Sequence, residues 1–88
     1  MPIVEIYTQP WCPYCVRAKS LLSKKGVTYT EIEAPSGSRL RHEATERSGG
    51  RTSVPQIFIN GEHIGGCDDL IALDRAGMLD HKLRAAVS

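Results

Sequence analysis

The sequence has no excess of charge of either sign: 11 lysines and arginines stand against 10 aspartates and glutamates, for a net +1 with the histidines neutral. Chains that bind nucleic acid or an anionic membrane surface usually carry a strong basic excess, so neither partner is expected. No apolar run approaches the roughly 20 residues that cross a bilayer, and none has the apolar centre of a secretory signal. Repeats and low-complexity linkers are missing too. A chain of 88 residues has room for one modest core, so a single domain over residues 1–88 is expected. These absences point to a soluble, cytoplasmic protein; a monomer is expected.

The cysteine count is three. Small secreted scaffolds build disulfide frameworks from even numbers, so an odd count suits a reducing compartment better. Two of the three lie close together, in Cys12-Pro-Tyr-Cys15, and the third is Cys67. A structural disulfide across so short a loop would remove only about 2 kcal/mol of chain entropy. A closed zinc site needs four ligands. Cys67, His42, His63 and His81 are the other candidates, but there is no second Cys-x-x-Cys and no closely spaced histidine pair. Redox chemistry is the reading that remains strongest.

Periodicity places this tetrad. Ile3-Val-Glu-Ile-Tyr7 is short and β-branched and reads as a strand. From Pro13 to about Lys25 the pattern is helical, with Cys15, Ala18 and Leu22 on one face and Gly26 as the stop. Thr28 to Glu33 alternates as a second strand, and a polar helix over about 38–48 follows, with Leu40 and Ala44 as its thin apolar face. Gln56-Ile-Phe-Ile59 is a third strand, and Asn60-Gly61 turns it back into a fourth, Glu62-His-Ile64. Cys67 or Asp68 opens a helix carrying Leu70, Leu73 and Ala76, and a last short helix holds Leu79 and Leu83. The strand–helix–strand start implies two parallel strands and the hairpin two antiparallel ones. The expected fold is therefore α/β, a small mixed sheet with helices on both faces.

Cys12 falls at the N-terminal end of the first helix. Free backbone N–H groups and the positive end of the helix dipole favour a thiolate there, and the thiolate is the nucleophile. Cys15, one turn further on, shares the buried face and should be less acidic. The pair is asymmetric: Cys12 attacks and Cys15 resolves. Tyr14 points away from the core and can flank Cys12.

Two other stretches carry chemistry. In Ser53-Val54-Pro55 a proline stands just before a strand, which fits a tight turn with a cis bond and leaves the Val54 peptide groups free to pair with an extended peptide. Taken alone it reads better as a plain loop. In Gly65-Gly66-Cys67-Asp68-Asp69 a glycine turn opens a helix. Its N–H groups form an anion nest, and the aspartates can hold an ammonium; taken alone it is an ordinary helix cap. Cys67 reads as a small packed residue, and Arg39, Arg41, Arg47 and Arg51 as a solvated helix face.

Together, Cys12-Pro-Tyr-Cys15, Ser53-Val-Pro55 and Gly65-Gly-Cys-Asp-Asp69, in this order and spacing, resemble the dithiol (class I) glutaredoxins, most closely those of the bacterial glutaredoxin 3 type. The resemblance covers essentially the whole chain. It implies a thioredoxin fold with sheet order 2-1-3-4, a cis Pro55 and glutathione as co-substrate, with no metal. Cys12 would take the glutathione sulfur and Val54 would pair with the tripeptide backbone. Cys67, Asp68 and Asp69 would hold its γ-glutamyl end, and Tyr14 would line the groove beside Ser53 and Gly66. The implied partners are glutathionylated or disulfide-containing proteins, with ribonucleotide reductase as one candidate. Many relatives have a lysine where this chain has Gln9; Arg17 or Arg51 could replace that cation. The rival reading is a glutathione-ligated [2Fe-2S] cluster carrier, against which Pro13 counts, since cluster-binding relatives usually lack it.

Overall fold

The structure is a computed structural model and describes residues 2–84. The expectation of one domain over 1–88 thus reaches past the described residues at both ends. In chain order the elements are β1 (Val4–Thr8), α1 (Pro13–Lys24), β2 (Thr30–Glu33), α2 (Arg39–Arg47), β3 (Gln56–Ile59), β4 (Glu62–Gly65), α3 (Cys67–Arg75) and α4 (Met78–Arg84). The strands form one sheet in the order β2-β1-β3-β4, with β1 parallel to β2 and antiparallel to β3, and β4 antiparallel to β3. This is the order and the mixture of pairings expected for a thioredoxin fold.

Alternation along the central strands divides the core. Val4 and Ile6 of β1 and Ile57 and Ile59 of β3 pack with Ala18 and Leu22 of α1, Leu70 of α3 and Leu79 and Leu83 of α4. On the opposite face Tyr7 and Phe58 pack with Ala34 and Ala44, the last from α2. A side-chain period of two in the strands thus serves two helical layers at once. Both central strands are buried on both faces. That is why β3 reads as a continuous apolar run and not as an alternation.

The β3–β4 turn follows its sequence signal: Asn60 and Gly61 both have positive φ, 52° and 82°, the conformation of the primed hairpin turns. No helix among the described residues is long and apolar enough to cross a membrane.

The structure corrects three expectations. Leu40 does not join the apolar face of α2; it is 40% exposed, and Ala44 alone is buried there. Ala76 is the C-cap of α3 and is exposed, so only Cys67 and Leu70 of that helix are buried. The arginines are not a simple solvated face. Arg47 lies 4.1 Å above the Phe58 ring and donates to Glu5 and to the Tyr7 hydroxyl. Arg41 donates to the carbonyls of Ala34 and Thr52. A guanidinium can cover an aromatic face and still keep its edge for hydrogen bonds, so polarity alone is a poor guide to its place.

Candidate active site

The chain leaves β1 at Thr8 and turns through a short loop to Cys12. Trp11 in this loop is 97% exposed and has a φ of 61°, in the left-handed region that side chains other than glycine seldom occupy. Cys12 is the N-cap of α1. Its backbone is extended, and its Sγ accepts the Cys15 N–H at 3.1 Å. A sulfur here does what the oxygen of a capping serine does elsewhere: it satisfies a helix N–H that has no partner within the helix. The same sulfur stands at the positive end of the α1 dipole. The Cys12 Sγ also lies 3.9 Å from the carbonyl oxygen of Val54.

Cys15 sits one turn deeper. Cys12 keeps 8% of its surface exposed and Cys15 only 2%. Burial first, and then the hydrogen bond with Cys12, push the Cys15 thiol up to about 12, against the smaller opposing effects of the Gln9 backbone and the Lys19 charge. The deeper thiol holds its proton, and the capping sulfur is the less buried of the two. Cys15 is the more buried of the pair, as its place on the inner face of the helix leads one to expect.

The other expected residues line one cleft of about 190 Å³: Tyr14, Ser53, Val54, Pro55, Gly66, Cys67, Asp68 and Asp69, together with Arg51. Residues far apart in sequence meet there because the Val54–Pro55 turn precedes β3 while α3 begins just after β4, its neighbour in the sheet. The Val54–Pro55 bond is cis. Both cysteines of the tetrad line an adjoining cavity of about 390 Å³ with Gln9, Trp11, Lys19, Glu31 and Glu33. A larger groove of about 500 Å³ runs between α1 and α3, but neither thiol lines it.

Within the cleft the two aspartates differ. One oxygen of Asp69, Oδ2, accepts the Gly66 N–H at 2.8 Å and the Arg51 guanidinium at 2.9 Å. The Gly66 N–H and then Arg51 hold its carboxyl below the ordinary carboxylate range. Asp68 is exposed and makes no hydrogen bond or ion pair among the described residues. Cys67 is buried in the first turn of α3, and burial raises its thiol pKa.

Three arginines stand beside the site: Arg17 and Arg51, which the sequence offered as cations there, and Arg41, which it did not. Arg51 lines the cleft and ties its loop to α3 through Asp69. Arg41 donates to the Oε1 of Gln9 at 2.9 Å. Arg17 lies over the Tyr14 ring at 5.6 Å. The histidines weighed and set aside as zinc ligands are engaged elsewhere: His63 bonds Gln56 and His42 pairs with Glu46. Among the described residues, no group of three or more histidine, cysteine, aspartate or glutamate side chains could hold a metal ion.

With this geometry in view, comparison with known proteins identifies the class. The glutaredoxin family model matches residues 4–64, and the chain belongs to the glutaredoxin family. It is 57% identical over 84 residues to glutaredoxin 3 of Escherichia coli K12, covering 96% of this chain and 100% of that protein. It is 56% identical over 85 residues to a glutaredoxin of Pseudomonas aeruginosa, covering 97% of this chain and all of that one. Within the family it is thus of the bacterial glutaredoxin 3 type. Among solved structures, the buckwheat glutaredoxin–glutathione complex superposes with a TM-score of 0.85 at 32% identity, over 99% of this chain and 83% of that one. Family and fold make the chain a thiol–disulfide oxidoreductase.

Proposed function

We propose that this protein exchanges thiols and disulfides between glutathione and other proteins, with Cys12 as nucleophile and Cys15 as resolving thiol. In the monothiol route the Cys12 thiolate attacks the glutathione sulfur of a protein–glutathione mixed disulfide. The S–S bond breaks, the protein leaves as a thiolate and takes a proton, and Cys12 carries glutathione. A second glutathione thiolate then attacks, releasing glutathione disulfide and the Cys12 thiolate. In the dithiol route Cys12 attacks a protein disulfide, and Cys15 then displaces the protein thiol and leaves a Cys12–Cys15 disulfide. Two glutathione molecules reduce that disulfide in turn.

One observation carries this reading. The Cys12 sulfur accepts a helix N–H at 3.1 Å and lies 3.9 Å from the Val54 carbonyl at the border of the cleft. A tripeptide bound through Val54 would present its own cysteine to that sulfur. The γ-glutamyl carboxylate would meet the N–H groups that open α3, and its ammonium would meet Asp68, whose carboxylate has no partner among the described residues. Tyr14, Ser53, Pro55, Gly66 and Cys67 shape the walls, with Asp69 holding Arg51 in place. The protein acts as a single-domain, cytoplasmic monomer on glutathionylated or disulfide-bearing proteins.

The test is glutathione-dependent reduction of a small glutathione mixed disulfide, with wild type and Cys15→Ser compared. Turnover is expected in both, with reduction of protein disulfides lost in Cys15→Ser. Absence of turnover in reduced wild type would overturn the reading and turn attention to a cluster-carrying dimer, visible as a brown colour after anaerobic purification.

A further inference from the structure

The resolving step, which rests on the function just proposed, poses a difficulty. Cys15 must attack as a thiolate, yet burial opposes its ionisation. The cavity that both thiols line contains one cation, Lys19, four residues after Cys15 and so on the same side of α1. Its Nζ is 3.0 Å from Glu31 Oε2 on β2, and that oxygen also accepts the Thr8 hydroxyl at 2.7 Å from β1. The ammonium is therefore held from β2, by a carboxylate that β1 fixes in turn. Such an exposed ion pair would ordinarily add little stability.

We propose that Lys19, anchored by Glu31 and Thr8 in the cavity shared by Cys12 and Cys15, is a positioning cation that stabilises the Cys15 thiolate as it forms in the resolving step. The charged and titratable groups around Cys15 are Cys12 and Lys19 on α1, and Glu31 and Glu33 on β2; Tyr29, just before β2, acts on Lys19. Of these, Lys19 favours the Cys15 thiolate and Cys12 opposes it. Glu31 is turned to its two hydrogen-bond donors. Once Cys12 is in a mixed disulfide it no longer opposes ionisation of Cys15, and the favourable effect of Lys19 stays.

The step balances as follows. Cys15 gives its proton to water or a buffer base that enters the open cavity. Its sulfur bonds to the Cys12 sulfur, the bond from Cys12 to the substrate sulfur breaks, and the substrate leaves as a thiolate. The two cysteines are oxidised by two electrons and the substrate disulfide is reduced by the same two.

The experiment mixes reduced protein with dithiobis-nitrobenzoate and follows the coloured thiolate by stopped flow across pH. A first release reports Cys12 attack and a second reports Cys15 resolution. In Lys19→Gln the second phase is expected to slow about three- to tenfold near neutral pH, its pH profile moving upward by about half a unit to one unit. Lys19→Arg should follow wild type. Lys19→Met, which keeps the aliphatic stem, repeats the test should Lys19→Gln fold poorly. A second phase with unchanged pH dependence in the uncharged variants would overturn the role of Lys19 alone, as would equal slowing of both phases. No second phase in wild type would instead overturn the resolving role of Cys15.

Discussion

A single carboxylate oxygen of Asp69 holds both the Gly66 N–H and the Arg51 guanidinium, at 2.8 and 2.9 Å. The first bond closes the N-terminus of α3. The second ties that helix to the loop that precedes β3. Replacing Asp69 by Ala should cost about 1 kcal/mol of stability, the usual worth of a lost cap, read as a lower urea midpoint. Its pH dependence has a definite sign. The folded-state pKa is depressed, so the contribution is present above the ordinary aspartate value and is lost as pH falls through the folded one. As pH falls below about 4 and on through the folded-state value, wild type and Asp69→Ala should converge in stability.

Gly65 has a φ of 122°, and a Cβ placed on it would lie 2.3 Å from Asp69 Oδ2. Gly65→Ala should therefore destabilise by about 2 kcal/mol through backbone strain and displacement of the Asp69 carboxylate. Made in an Asp69→Ala background, the same change should cost less, because the carboxylate no longer has to be displaced and only the strain and the close Cβ of residue 69 are left. A double-mutant cycle by urea unfolding measures that coupling; additive costs would show that the two residues act independently.

The Cys15 thiol, pushed up to about 12 by burial and by Cys12, should resist alkylation at neutral pH. Reduced protein treated briefly with iodoacetamide at pH 7 is expected to gain one carbamidomethyl group, mapped by mass spectrometry to Cys12. Modification of Cys15 at a comparable rate would contradict its burial and remove the asymmetry on which the dithiol route depends.

Arg47 donates to both oxygens of Glu5, at 2.9 and 3.3 Å, and to the Tyr7 hydroxyl at 2.8 Å while covering Phe58. A lysine cannot form that fork or lie flat on the ring. Arg47→Lys should lower stability by about 1–2 kcal/mol, allowing for the partial exposure of the pair. Thermal unfolding tests this, and catalytic turnover at a temperature well below the melt should be retained.

Much of this molecule could be read before it was seen. The strands β1 and β3, the helix behind Cys12 and the Asn60–Gly61 turn follow from local rules, because β-branching, helix-face spacing and positive φ act over a few residues. The Cys12–Cys15 asymmetry followed from helix position alone. What the sequence hid was carried by long side chains whose partners lie far along the chain. Arg47 reaches Glu5, Arg51 reaches Asp69, and Arg41 reaches Gln9, and no periodicity marks such pairs. Leu40 failed for a related reason. A single turn of apolar residues on a short helix does not say how closely the helix lies on the sheet, and Ala44 is the only residue that α2 buries there.

Trp11 has a consequence for observing the protein as well as for its shape. It is the chain's one tryptophan, and it stands next to Cys12 with its indole open to solvent. Thiolates and disulfides quench indole emission to different extents. Reduced, glutathionylated and internally oxidised protein should therefore differ in intrinsic fluorescence without any label. The chain carries its own optical reporter one residue from the bond that breaks.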